Sequence, residues 1–486
     1  MQAMKEPTTV NHAASPSSFN LYLLGCALVA ALGGLLFGFD TAVISGTTTW
    51  LQSHYQLSDF WLGFTVASAL IGTILGSIAV GKPADVFGRR EVLFLLALLY
   101  VATSIGCALA WNWGSFVFFR FLGGLAVGGA SVVSPMYIAE ISPARVRGRL
   151  VAVTQFNVVF GILLAYLSNF AISSLHLGEN ECRWMFGVMA APSLLFFCLL
   201  FLTPQSPRWL MAQRREEEAR AVLVQCGSDS GYVDEEIRDI RASLDMQHHT
   251  LREPFFCKNY LKPILLAVAI AAFNQLSGIN AVLYYTPTIF KMAGASPALA
   301  MWQSVIVGFT MLVFTMAALA IIDHFGRRRL MIWGSLGYIV SLGTVAWAFF
   351  TYGDVFTKVT KALETHQEVP ADVAAAVGTG GTVVLVSLLV YVAAHGFGQG
   401  AVIWVFISEI FPNRVRARGQ ALGSFTHWAM NAAISWTFPM IAAAAGWMAF
   451  GFYALCMVGQ LLWVLTVMPE TKGVSLEKIQ DELGIE

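Results

Sequence analysis

Charge is what this chain has least of: 12% of its 486 residues are Asp, Glu, Lys or Arg, against roughly 25% in a soluble globular protein. A soluble chain this long splits into several domains, each with a water-facing surface to populate. So few charges cannot cover those surfaces, whereas lipid accepts the apolar exterior that 57% hydrophobic residues offer. The formal net charge is zero, which argues against a nucleic-acid partner. The seven cysteines show no CxxC or other metal-ligand spacing. Cys26, Cys107, Cys198 and Cys456 lie inside apolar runs, Cys226 and Cys257 in a polar segment, and Cys182 alone in a short loop. Neither a disulfide framework nor a metal site is expected. No nucleophile–base pair or phosphate loop stands out either, so an enzyme is not expected, and no cofactor.

What is present is a series of long apolar runs. Spanning the hydrocarbon takes about 20 mainly apolar residues. Such runs fall near residues 20–46, 60–80, 91–111, 115–139, 150–174 and 184–202, and resume near 262–290, 298–322, 330–352, 378–407, 418–445 and 448–468. They predict an all-α membrane protein of twelve transmembrane helices. Its organisation reads as an N-terminal tail (1–18), a six-helix half (19–203), a linker (204–260), a second six-helix half (261–468) and a C-terminal tail (469–486). The first run is too long for a signal h-region, so it reads as the first membrane helix. One set of loops holds Lys82, Arg89, Arg90, Arg145, Arg147, Arg149, Arg208, Arg214, Arg215, Arg327, Arg328, Arg329, Arg414, Arg416 and Arg418; the opposite set holds little beyond Arg183, Lys291, Lys358 and Lys361. By the positive-inside rule the basic loops and both termini are cytoplasmic, in a multi-pass protein of the cell membrane. In the linker, Ile237, Ile240 and Leu244 recur between charges, as in short amphipathic helices; a plain charged tether fits as well.

The halves repeat. Asp85-Val86-Phe87-Gly88-Arg89-Arg90 is matched by Asp323-His324-Phe325-Gly326-Arg327-Arg328, and Glu140-Ile141-Ser142-Pro143 by Glu409-Ile410-Phe411-Pro412. Pro204-Gln205-Ser206-Pro207-Arg208 is matched by Pro469-Glu470-Thr471-Lys472. Two halves related by an axis along the membrane normal describe a secondary transporter with its site between them near mid-membrane. At these signatures, and at Gly33-Gly34-Leu35-Leu36-Phe37-Gly38-Phe39-Asp40 and Gln275-Leu276-Ser277-Gly278-Ile279-Asn280, the sequence resembles the sugar porter family of the major facilitator superfamily. The resemblance runs from about Gly33 to Gly473 and implies the major facilitator fold.

Two charges sit within helices away from their ends. Asp40 lies about six residues before the outer end of the first run and Arg120 about six after the outer start of the fourth, roughly 9 Å deep in both cases at ~1.5 Å per residue. Sharing a depth, they can pair, and an unpaired lipid-facing placement would cost roughly 2.5–3.5 kcal/mol each. The pair reads either as a static structural contact or as a proton-coupling device. In the second reading, changing the Asp40–Arg120 distance switches Asp40 between holding and releasing a proton. The resemblance favours coupling, because proton-coupled sugar porters have an aspartate and an arginine at these positions; it also notes Met189 where xylose symporters have a glutamate. The resemblance further implies a cytoplasmic salt-bridge network of Asp85, Arg89, Arg90, Glu140, Arg147, Asp323, Arg327, Arg328, Glu409 and Arg416. It would hold that side closed when the site faces outward. The second copy has Leu319 in place of the leading glycine Gly81, which predicts a looser network there.

A sugar needs groups that donate and accept beside apolar faces, which amides and aromatics supply. Gln155, Asn274, Gln275, Asn280, His427 and Asn431, with Trp404 and Trp428, are candidates on otherwise apolar helices; singly, each reads equally as a helix-packing hydrogen bonder. The resemblance assigns sugar contacts to Gln155, Gln275, Asn280 and Trp404, and gating to Phe37 and Tyr284. Asn274, Met311 and His427 depart from the usual residues, and Ile162 is similar to the glucose transporters. Hexose and pentose both stay open. The function expected is proton-coupled symport of a monosaccharide by a monomer in the bilayer, with the proton as coupling ion. Facilitated uniport is the alternative, and a transporter-like sugar sensor a further one.

Overall fold

The computed structural model describes residues 20–227, 233–242, 254–365, 367, 370–412, 414–474, 479 and 483–485, without the side chains of residues 144, 145, 323, 364 and 371. The tail 1–18 lies outside the described residues, among which the regular structure is entirely helical. Twelve membrane segments follow in order. The first half has α1 (Leu21–Val43), α2 (Asp59–Ala79), α3 (Arg89–Ala108), α4 (Trp113–Ile141), α5 (Ala144–Ser173) and α6 (Ala190–Leu199, preceded by the short helix Glu181–Gly187). The second has α7a (Leu261–Leu276) and α7b (Ile279–Met292), α8 (Pro297–Phe325), α9 (Arg327–Glu364), α10a (Ala371–Phe397) and α10b (Gln399–Ile410), α11 (Arg416–Ala444) and α12 (Gly446–Thr466). Eleven segments among the described residues are long and apolar enough to cross a membrane. The remaining one, α11, has the length, but His427, Asn431, Ser435 and Thr437 interrupt its apolar stretch.

Two runs that read as continuous are broken. The α7 break is Ser277-Gly278, with Gly278 at φ +82°, and the α10 break is Gly398. Irregular backbone at membrane depth is tolerated only where protein satisfies it. Here the freed carbonyl of Ser277 accepts the Tyr391 hydroxyl at 2.8 Å.

Lipid tails are as apolar as leucine, so helices associate through close backbone approach rather than through exclusion from water. The contact of α1 with α5 shows how close. A Cβ on Gly38 would lie 1.9 Å from the Val158 carbonyl oxygen, and one on Gly161 2.1 Å from that of Leu35. Large apolar side chains such as Leu98, Trp333, Phe350 and Leu455 face outward.

The halves meet at the end opposite the arginine loops. Thr48 and Thr288 share a hydroxyl hydrogen bond at 3.0 Å, Lys291 donates to Thr49 Oγ1 at 3.3 Å and the Trp436 indole to the Phe60 carbonyl at 3.2 Å. Tyr166 donates to the Leu283 carbonyl at 2.8 Å. At the other end the linker folds as Pro207–Ala212, Glu216–Gln225 and a helical stretch at 233–242. Leu210, Met211, Ala219, Leu223, Val233 and Ile237 form a separate apolar cluster with Ile240 against it, while Arg220 pairs with Glu216 at 3.0 Å and with Asp234 on the outside. The amphipathic reading fits this arrangement; Leu244 lies outside the described residues.

Candidate functional site

Gly38 lets α1 sit against α5 and so fixes where Asp40, half a turn on, can point. Its Oδ1 accepts from Arg120 Nη1 of α4 at 2.6 Å, and the two residues are 8% and 3% exposed. Burying two charges is offset only when geometry and further hydrogen bonds are good, and here they are incomplete. One nitrogen meets one oxygen, Arg120 Nε has no partner, and neither has the buried Tyr100 hydroxyl. The guanidinium lies 5.6 Å from the Phe186 ring. The geometry is a single contact rather than the bidentate fork of a saturated pair.

Asp40 and Arg120 border a narrow cavity with Phe37, Thr41, Tyr284 and Trp428, with room for about one water molecule. Phe37 and Trp428 pack with ring centres 5.5 Å apart. Tyr284 accepts from Asn431 at 3.4 Å, and Asn431 in turn accepts from Ser435 at 3.0 Å.

The α7 break gathers the amides. Gln275 donates to Asn274 Oδ1 at 3.0 Å and lies 3.2 Å from both ring nitrogens of His427, while its own Oε1 accepts from Asn280 at 3.1 Å. The His427 ring stands between Trp404 and Trp428, with centroids at 5.3 and 5.0 Å. Six of the seven expected sugar-site residues are thus in one connected cluster. Gln155, on α5, is half-buried and has no hydrogen bond among the described residues. Of the positions that depart from the usual sugar-site residues Met311 is buried, as are Ile162 and Met189.

At the arginine end each half is held by its own ion pairs. Arg89 reaches Glu140 at 3.0 Å and Asp85 at 3.1 Å; Arg327 reaches Glu409 at 2.8 Å. Several residues expected in this network do other work. Arg328 donates to the carbonyls of Val464 and Leu465 at 3.0 and 2.6 Å. Arg90 does the equivalent at Leu200 and Phe201, at 3.3 and 3.4 Å, with Glu91 3.7 Å away. Both cap the ends of the sixth and twelfth segments, where orphan carbonyls and the helix dipole favour a cation. Arg147 donates to the Ser142 carbonyl, and Arg416 has a buried, unpartnered Nε. The Asp323 side chain lies outside the described residues. Two hydroxyls escaped the sequence reading: Ser206 donates to Glu140 and Thr471 to Glu409, the latter at 2.6 Å. Their only signal is the matched place of the two Pro-x-Ser/Thr turns in the repeat.

The family described as Sugar (and other) transporter matches residues 26–483. The chain belongs to the sugar transporter family. It is 36% identical to the D-xylose-proton symporter of Escherichia coli (strain K12), over 94% of this chain and 95% of that protein. It is 35% identical to the glucose transport protein of Synechocystis, over 97% of this chain and all of that protein. Among solved structures it is similar to the xylose transporter XylE from E. coli in a partially occluded inward open conformation. That likeness has a TM-score of 0.79 and 35% identity, covering 93% of this chain and 99% of the other. As a sugar transporter family member it is a multi-pass membrane protein of the major facilitator fold.

Proposed function

We propose that this member of the sugar transporter family is a proton-coupled symporter of a monosaccharide, hexose or pentose, working by alternating access. The observation that carries the reading is the single-contact Asp40–Arg120 pair on the wall of the cavity that Tyr284 and Trp428 also line. Among the described residues Asp40 has no second side-chain partner, so separation from Arg120 leaves a buried carboxyl with no compensating charge. Rocking of the halves that lengthens this one contact therefore loads a proton, and shortening it releases one. The amide cluster at the α7 break and the indoles of Trp404 and Trp428 bind the sugar hydroxyls and ring face. Gln155 completes the site from the first half, its side chain free for a ligand. Phe37 and Tyr284 act as gates. The proton is the coupling ion, and no cofactor is required.

The arginine loops support a cytoplasmic position for that face of a cell-membrane protein, with the monomer as the proposed working unit in the bilayer. The hydrogen bonds of Thr48, Lys291 and Trp436 across the halves then close the external side, an inward-directed state. The ion pairs that join residues within each half fit this: Arg89–Glu140 and Arg327–Glu409 hold the halves internally while the inner side is apart. Met189, buried where xylose symporters carry a glutamate, favours the second reading, facilitated uniport with Asp40–Arg120 as a structural pair.

Uptake of a panel of pentoses and hexoses into proteoliposomes separates the two. Wild type is expected to accumulate sugar only with an inward proton gradient, and Asp40→Asn to exchange it without accumulation. Equal equilibration by both proteins, with or without the gradient, would establish uniport.

A further inference from the structure

His427 is an ionisable ring inside an array of neutral amides. Among the described residues its only hydrogen-bond partner is Gln275, whose Nε2 lies 3.2 Å from both ring nitrogens; its ring is tilted against that of Trp404 and edge-on to that of Trp428. Gln275 uses its two N–H groups on Asn274 Oδ1 and on the His427 ring, and its carbonyl on Asn280. Such an arrangement requires His427 to accept, which only the neutral imidazole does; the imidazolium has donors at both nitrogens.

We propose that His427 is a positioning residue that makes sugar affinity pH-dependent by setting the orientation of the Gln275 amide, separately from the proton held at Asp40. This inference rests on the sugar-site reading above. When the ring takes a proton, N–H groups face N–H groups. Gln275 must then turn its Oε1 toward His427, and in doing so it withdraws the acceptor from Asn280 and the donor from Asn274. Three ligands are remodelled by one protonation, without any change at Asp40.

The surroundings of the ring leave this titration to His427 itself. No carboxylate, lysine or arginine hydrogen-bonds it among the described residues. The α7a helix offers only the amides Asn274 and Gln275 there. From α10a, His395 faces the same region but has its Nδ1 engaged with the Tyr338 hydroxyl at 2.6 Å, and Glu409 lies at the far end of α10b, paired with Arg327. Asp40 and Arg120 border the cavity beyond Trp428 and are paired with each other. The α2 helix, packed on α11, carries its one acid, Asp59, at its end, bonded to Gln52. Tyr284 of α7b is engaged by Asn431, and α12 contributes Tyr453 and Cys456, the former against Gly278.

Equilibrium binding of radiolabelled D-xylose and D-glucose to purified protein between pH 3.5 and pH 8 tests it. An Asp40→Asn background removes the other titration. In Asp40→Asn the affinity for the sugar that binds is expected to fall on acidification, by up to about tenfold per pH unit once the ring titrates, the limit when only the neutral form binds. In Asp40→Asn/His427→Asn the profile is expected to be flat at whatever affinity remains, because an amide accepts from Gln275 at every pH. His427→Phe, which fills the space and cannot accept, is expected to weaken binding throughout. The same acid fall in both backgrounds, or a flat profile in Asp40→Asn, overturns the inference while leaving the sugar site standing. Absence of binding by the wild type at any pH, for both sugars, overturns the site reading and the inference with it.

Discussion

Removing Arg120 alone leaves the Asp40 carboxylate buried with nothing to meet it. Breaking one side of a buried pair costs on the order of 3–5 kcal/mol, whereas removing both partners is often neutral. Arg120→Met is therefore expected to lower the thermal unfolding midpoint in detergent sharply, and Asp40→Asn/Arg120→Met to regain most of the loss. If the double variant is no better than the single one, the pair is not what Arg120 stabilises. These two residues were legible in the sequence because a charge inside an apolar run has few places to go. The amides Gln275 and Asn280 were legible for the same reason, aided by the family signature. Ser206 and Thr471 were not: a hydroxyl on a turn is an ordinary capping residue, and only the folded chain brings it to donate to Glu140 and Glu409. Ser206→Ala and Thr471→Ala each leave a carboxylate short of one charge-assisted hydrogen bond, a contact of roughly 1.5–3 kcal/mol. Each is expected to lower the unfolding midpoint, with near-additive effects in the double variant because the two sites belong to separate halves.

Among the helices, the length and register of most segments follow directly from the apolar runs, but the breaks in α7 and α10 do not. Ser277-Gly278 and Gly398 sit in stretches whose hydropathy continues on both sides, so composition reads straight through them. What decides the break is backbone geometry. Gly278 is held at φ +82°, and a Cβ there would lie 2.4 Å from the Tyr453 ring. Outside glycine the left-handed conformation costs roughly 1–2 kcal/mol before any clash. Gly278→Ala is expected to displace the Gln275–Asn280 pair and so weaken sugar binding more than tenfold, while the Asp40–Arg120 contact remains. Unchanged affinity in equilibrium binding would show that the break does not position the amides. The repeat, by contrast, was legible down to the turn. Gly88 and Gly326, at φ +97° and +87°, begin α3 and α9 in the same way, because a shared left-handed cap is what the matched Phe-Gly-Arg-Arg sequences require.

For the molecule as a whole, the closed end is a set of hydroxyl and indole contacts between halves that no sequence pattern announces. Thr48 and Thr288 are 240 residues apart and ordinary in composition. Their hydroxyls are 3.0 Å from one another, so Thr48→Cys/Thr288→Cys is expected to cross-link under mild oxidation and to stop uptake until a reductant is added. Uptake that continues in the cross-linked protein would mean that the halves need not part there. The twelve-segment fold itself emerged from composition because lipid imposes so few alternatives, with α11 as the instructive exception. Its His427, Asn431 and Ser435 are what the proposed site draws on and what the hydrocarbon resists. A nascent α11 leaving the ribosome has no cavity yet to face. It is the segment least able to enter the bilayer by its own partitioning, and its insertion is expected to wait for α12, the two going in as a hairpin against α7. A chain ended just after Ala445 would then leave α11 in water and open to protease, while one ended after Thr466 would protect it. The polar face that the proposed site draws on thus sets the order in which the last helices can be made.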